Sequence, residues 1–172
     1  MGIESIVICI DNSEWMRNGD FIPTRLHSQN DAVNMMARFK TKDNVETNVG
    51  VLTFSDTQVR VPLTNDFNKI AKHLQTVEPK GNIKFIVGLR IAHLVLKHRV
   101  NKNHRTRIVA FVASPIMDDP KEMERLAKRL KKENVHVDIV SFGEEEANGE
   151  KLSLFVDTLN GKEQKEGKTS VS

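Results

Sequence analysis

The sequence predicts an α/β fold with a mostly parallel central sheet, one antiparallel edge strand and helices on both faces. Two observations carry this prediction. Three short apolar runs rich in β-branched residues recur along the chain, and segments with the 3.6-residue period of amphipathic helices follow or separate them. The runs are Ile6 to Ile10, Val49 to Phe54 and Ile108 to Ala113. They lack polar/apolar alternation because a central parallel strand is covered on both faces.

Taken in order, the run at Ile6 is the first strand, and a long helix fits Pro23 to Phe39. The run at Val49 is followed by Ser55-Asp56-Thr57, a turn that joins it to Gln58–Leu63 as an antiparallel hairpin. Phe67, Ile70, Ala71 and Leu74 then mark one face of a helix, and a longer helix fits Phe85 to Arg99. After the run at Ile108, Asp119 reads as an N-cap, Pro120 as the first helical position and Glu122 as the partner in a capping box. Met123, Leu126, Ala127 and Leu130 supply that helix's buried face. Val135 to Val140 alternates at first, as a strand near a sheet edge does, and Leu152, Phe155, Val156 and Leu159 mark the last helix. Residues 1–160 form one domain in this reading, and the polar, aperiodic 161–172 is expected to be a disordered tail.

Composition narrows the function classes. The chain has 172 residues, 38% apolar and 28% charged, which suits one globular domain. A single cysteine, Cys9, excludes an internal disulfide framework and a cysteine-based zinc site. With no sequon and no signal-like or membrane-spanning run, the expected location is cytoplasm and nucleus, without a membrane partner. A net charge of +3 is too balanced to call for nucleic acid. There is no G-x-G-x-x-G or phosphate-binding loop, and Gly167-Lys168-Thr169 sits in the tail without the required strand and helix. Cys9, inside a strand, reads as an inert thiol, and no histidine takes a known triad or zinc spacing. Glu144-Glu145-Glu146 reads as a solvated loop. No catalytic signature is present; a hydrolase built on Asp11 and a histidine is a rival that needs an imidazole beside Asp11.

Ligands of open parallel sheets bind at the carboxyl ends of the strands, where strand order reverses. There the first strand ends in Asp11-Asn12-Ser13 before a long helix, which resembles the von Willebrand factor A family, a Rossmann-like fold. In that family Asp-x-Ser-x-Ser, with a Thr and an Asp from other loops, holds a divalent ion; hard oxygen ligands suit Mg²⁺ or Mn²⁺. Asp11 and Ser13 match. Trp15 stands at the second Ser, Ile83 near the Thr and Ser114 at the final Asp. With one carboxylate left the expectation is a vestigial site, no metal and no cofactor. A metal-dependent adhesion-type binder is the alternative. Lys84 is expected to offer Asp11 a positive charge, while loop and helix capping is the plainer role for Asp11 and Ser13.

A narrower resemblance runs through Val7 to Phe21, Leu96–Arg99, Arg107 to Pro115, Leu126 to Lys132 and Val137 to Glu146. These segments are similar, in order and spacing, to the ubiquitin-receptor subunits of the 26S proteasome regulatory particle. The resemblance implies a non-enzymatic docking and scaffold domain that holds base and lid together in ubiquitin-dependent degradation. Implied partners are lid and base subunits, with ubiquitin-like shuttle receptors as further candidates. Polyubiquitin would be captured only through a separate motif, which is expected to be missing from this sequence. The residues singled out for partner binding are Asp11, Trp15, Arg17, Phe21 and Lys84; Trp15, Met16, Phe21 and Ile22 are large apolar groups that either point outward as interface anchors or pack inward. Two basic clusters, Lys97 to Arg107 and Lys128 to Lys132, read either as surfaces for acidic partners or as solvated helix ends.

Overall fold

A computed structural model describes residues 3–161. Five strands, β1 (Glu4–Ile10), β2 (Asn48–Thr53), β3 (Gln58–Thr64), β4 (Arg105–Val112) and β5 (His136–Ser141), form one sheet in the order β3-β2-β1-β4-β5. All pairings are parallel except the β2–β3 hairpin, which places β3 as the antiparallel edge. Five helices accompany them: α1 (Arg25–Asp43), α2 (Phe67–Leu74), α3 (Phe85–Lys97), α4 (Pro120–Lys132) and α5 (Glu145–Leu159). The expected fold class, with its antiparallel edge and two helical layers, is the one observed.

Alternation along β1 builds both layers. Ile6, Ile8 and Ile10 join Val33 and Ala37 of α1 and Ile70 and Leu74 of α2 in one core. Val7 and Cys9 point the other way, toward Phe85 and Leu89 of α3, Leu126 of α4 and Phe155 of α5. All seven residues of β1 are therefore buried, and its part from Ile6 to Ile10 reads as an unbroken apolar run. Helix α3 lies close against the hairpin because Gly88 has no side chain: a Cβ there would stand 2.5 Å from the Phe54 ring.

Several boundaries differ from expectation. Helix α1 begins after Thr24, whose hydroxyl accepts the His27 N–H at 3.1 Å, so a side-chain N-cap rather than Pro23 sets its start. It runs on to Asp43, past Phe39, because no breaker intervenes before Asn44. Helix α3 stops at Lys97, where Arg99 folds back and donates to the carbonyls of Leu96, Lys102 and His104. Asp119 and Pro120 do open α4, but the capping box does not form: Asp119 makes no side-chain cap, and Glu122 pairs with Arg125 at 2.6 Å. Residues Glu14–Arg17 form a 3-10 turn that the periodicity does not reveal. The predicted tail, apart from Gly161, lies outside the described residues. No helix among the described residues is long and apolar enough to cross a membrane.

Candidate functional site at the carboxyl edge of the sheet

From β1 the chain moves to β2 on one side and returns as β4 on the other, so strand order reverses between β1 and β4. The loops after Ile10 and Val112 flank that point, and Asp11 joins them. Its carboxylate is fully buried and accepts three hydrogen bonds: from the Ser13 N–H (3.0 Å), the Ala113 N–H (2.9 Å) and the Ser114 hydroxyl (2.6 Å). Its backbone is held by Gln29, whose Oε1 accepts the Asp11 N–H (3.0 Å) and whose Nε2 donates to the Asp11 carbonyl (2.9 Å). Asp11 thus ties together β1, α1 and the loop after β4.

Next to it lies a buried cation that the sequence reading missed. Arg25 of α1 is 2% exposed and donates to the Ala113 carbonyl (2.6 Å) and to both Asp20 oxygens (2.9 Å each). It also meets Glu144 at 2.9 Å. Hydrogen bonds from Arg25, opposed by some desolvation, hold the Asp20 carboxyl below its ordinary range. Glu144 is therefore no solvated loop residue: it neutralises a buried guanidinium. Gly143, at φ +82, permits this approach, since a Cβ there would stand 2.6 Å from Arg25 Cζ. The signal was available: Arg25, Gln29, Val33, Ala37 and Thr41 repeat every four residues and form the buried face of α1. Its first two members are polar because they meet strand ends, where backbone groups need partners.

The remaining predicted residues divide between rim and interior. Trp15 is 41% exposed, and Ile22 and Lys84 are exposed, whereas Met16 is fully buried. Phe21 packs edge-on against Phe142 at 5.1 Å. Arg17 lies on the surface but is engaged, pairing with Glu14 (3.0 Å) and donating to the Pro79 carbonyl (3.0 Å). The loop between α2 and α3 is stitched to the loop after β1 through Lys80 N–H to Asn12 O (2.7 Å) and Glu14 N–H to Gly81 O (2.9 Å). Lys84 does not supply the charge expected beside Asp11; the three donors named above serve the carboxylate, and Lys84 opens α3 instead. Met117, which the sequence reading passed over, is 82% exposed in the loop after β4.

These residues do not fit a divalent ion. The only nearby carboxylate of the set is turned inward, the Ser114 hydroxyl donates to it, the Trp15 indole offers no hard oxygen and Ile83 is apolar. Ser13 Oγ, Ser55 Oγ and Asn12 Nδ2 are buried without partners, but an amide N–H₂ group repels a cation. No group of three or more His, Cys, Asp or Glu among the described residues could hold a metal. Nor does the edge assemble a nucleophile and base. Asp11 has no imidazole among its partners, and burial pushes the Cys9 thiol far above its usual range. Of the first basic cluster, Arg99 is spent on carbonyls and Arg107 on Glu4 and Asp138.

Residues 6–115 match the family model described as von Willebrand factor type A domain. The chain belongs to the von Willebrand factor type A family. This domain is 48% identical to the SpRpn10 VWA domain, whose crystal structure it matches with a TM-score of 0.85 over 92% of this chain and 82% of that one. It is 54% identical over 95% of its length to a 26S proteasome non-ATPase regulatory subunit 4 of Schistosoma mansoni, covering 39% of that protein. The protein of the same name from Drosophila melanogaster is 51% identical over 95% of the chain, which covers 41% of it. The chain thus spans about two fifths of these two curated relatives. The resemblance to proteasomal ubiquitin-receptor subunits drawn from the motifs is borne out.

Proposed function

We propose that this domain is a non-catalytic docking module that binds the 26S proteasome regulatory particle, contacts its lid and base subunits and steadies their association in ubiquitin-dependent degradation. The observation that carries the reading is the match to proteasomal regulatory subunits over nearly the whole described chain. The site supports it by what it is built to do. Asp11, Gln29 and Arg25 spend their polar groups on fixing loops rather than on a ligand, which is the work of a rigid scaffold. The fixed loops carry Trp15, Ile22 and Met117 outward, large apolar side chains of the kind that anchor interfaces. Lys84 and Arg17 form the charged rim, Phe21 supports it from beneath, and Asp11 acts by holding the loops. Shuttle receptors are further partners for the same surface, and the cytoplasm and nucleus are its proposed setting.

A photo-reactive residue at position 15 or 117, with the chain bound to purified regulatory particles, tests this. Cross-links to lid or base subunits are expected. Efficient cross-linking from exposed positions elsewhere, such as Phe39 or Val100, with none from 15 and 117 would move the interface off this edge.

A further inference from the structure

We propose that the groove between α4 and α5 docks an acidic segment of a partner protein through one apolar side chain. One end of the groove is a hollow of about 210 Å³ whose exposed apolar wall is Leu154, over a floor of the buried Met123 and Phe155. Leu154 is 38% exposed there, beside the methylene stems of Lys121 and Lys151. Past Glu124 and Thr158, which line both parts, the groove continues between Lys128, Lys131 and Lys132 on one wall and Gly161 on the other.

Charge says what fits. Helix α4 carries six basic residues against two acidic ones, a surplus of four, larger than the +3 of the whole chain. The rest of the molecule therefore sums close to neutral, and α4 carries a charge surplus larger than that of the whole chain. Its acids are already used: Glu122 by Arg125 and Arg90, and Glu124 by Lys128 at 3.8 Å. Among the described residues Lys131 and Lys132 have no acidic partner, and both are exposed. An apolar seat adjoining ammonium groups that no acid among the described residues neutralises complements a peptide that presents a leucine- or phenylalanine-like side chain next to several carboxylates. Nucleic acid suits it less, because the one aromatic ring of the groove, Phe155, is buried and offers no face for base stacking.

This deepens the docking reading and rests on it for the partner, an acidic segment of a regulatory-particle subunit. The probe is a synthetic peptide with one leucine between two runs of glutamate, titrated into the isotopically labelled full chain and followed by amide chemical shifts. A lysine-for-glutamate peptide and a single-stranded RNA oligonucleotide run alongside. Shifts confined to α4 and α5 with the acidic peptide are expected. K128E/K131E/K132E and, separately, Leu154→Glu should each weaken binding roughly tenfold or more, with melting temperatures close to the parent because the changes are at the surface. Absence of shifts, shifts centred on other elements, or tighter binding of RNA than of peptide would overturn the proposal. The same variants on purified regulatory particles separate the two readings. If the parent binds and the charge-reversed chain binds equally well, the groove is refuted and docking stands. If the parent fails to bind particles but takes the peptide at α4 and α5, docking fails and the groove stands.

Discussion

Replacing Asp11 with alanine removes the shared acceptor of two backbone N–H groups and a hydroxyl, all at a fully buried position. The Ser114 hydroxyl can turn to another acceptor, but the Ser13 and Ala113 N–H groups are fixed by the backbone. Each orphaned donor costs about 1–3 kcal/mol, so the variant should lose roughly 4 kcal/mol. That is a large share of the about 5–15 kcal/mol that holds a domain together. At about 2–4 °C per kcal/mol for a domain of this size, the melting temperature should fall by roughly 8–16 °C. Ser114→Ala removes one donor and leaves the carboxylate two, so about 1.5–3 kcal/mol is expected for the loss of one hydrogen bond to a carboxylate. Equilibrium urea unfolding, with thermal melting as a second probe, measures both. A carboxylate kept for a ligand behaves in the opposite way, since removing a functional charge commonly stabilises the fold. A neutral or stabilising Asp11→Ala, or a Ser114→Ala that costs more than Asp11→Ala, would refute the role given to this residue.

Three further outcomes follow from the same structure. Gly88→Ala should destabilise by about 1–3 kcal/mol through the Phe54 contact, whereas Gly149→Ala, in α5 with open space around it, should stabilise by about 0.5–1 kcal/mol; paired denaturation curves decide the signs. At Glu4, burial raises the carboxyl's pKa but hydrogen bonds and charges from Arg107 and Lys40 outweigh it, leaving it below 4.5. Its contribution is therefore present above that unfolded value and lost as pH falls through the lower folded one, so Glu4→Gln should lower stability at pH 7 and flatten its loss on acidification below pH 4.5. Mn²⁺ or Mg²⁺ should leave the melting temperature unchanged, whereas a specific site present with the ion at a hundredfold excess over its Kd would add about 2.7 kcal/mol.

How much of this was legible in the sequence depends on the kind of signal. Strands β1, β2 and β4 announced themselves because two-sided burial demands apolar runs, and helices α2, α4 and α5 because their apolar faces repeat cleanly. The motif at Asp11 and Ser13 pointed to the candidate site, since the strand ending in that pattern lies at the strand-order reversal. What lay hidden was polar and long-range. Arg25 and Gln29 share the four-residue repeat of the buried α1 face with Val33, Ala37 and Thr41, but their partners lie at Ala113, Glu144 and Asp11, far along the chain or across a loop. Met16 and Trp15 are adjacent and both large and apolar, yet only the 3-10 turn decides that one is core and the other surface. The capping box failed for a similar reason: Glu122 found a nearer cation in Arg125. Side-chain pairing between distant loops carries no periodicity, so sequence spacing could not reveal it.

The most direct measurement of the central claim is a binding isotherm of the labelled chain on purified regulatory particles that lack a von Willebrand factor type A subunit of their own. The account predicts saturable, stoichiometric binding that is weakened roughly tenfold or more by Trp15→Ser combined with Met117→Ser. The folded double variant should keep the parent's melting temperature. Absence of saturable binding by the parent chain would contradict the account, and so would a double variant that binds as tightly as the parent.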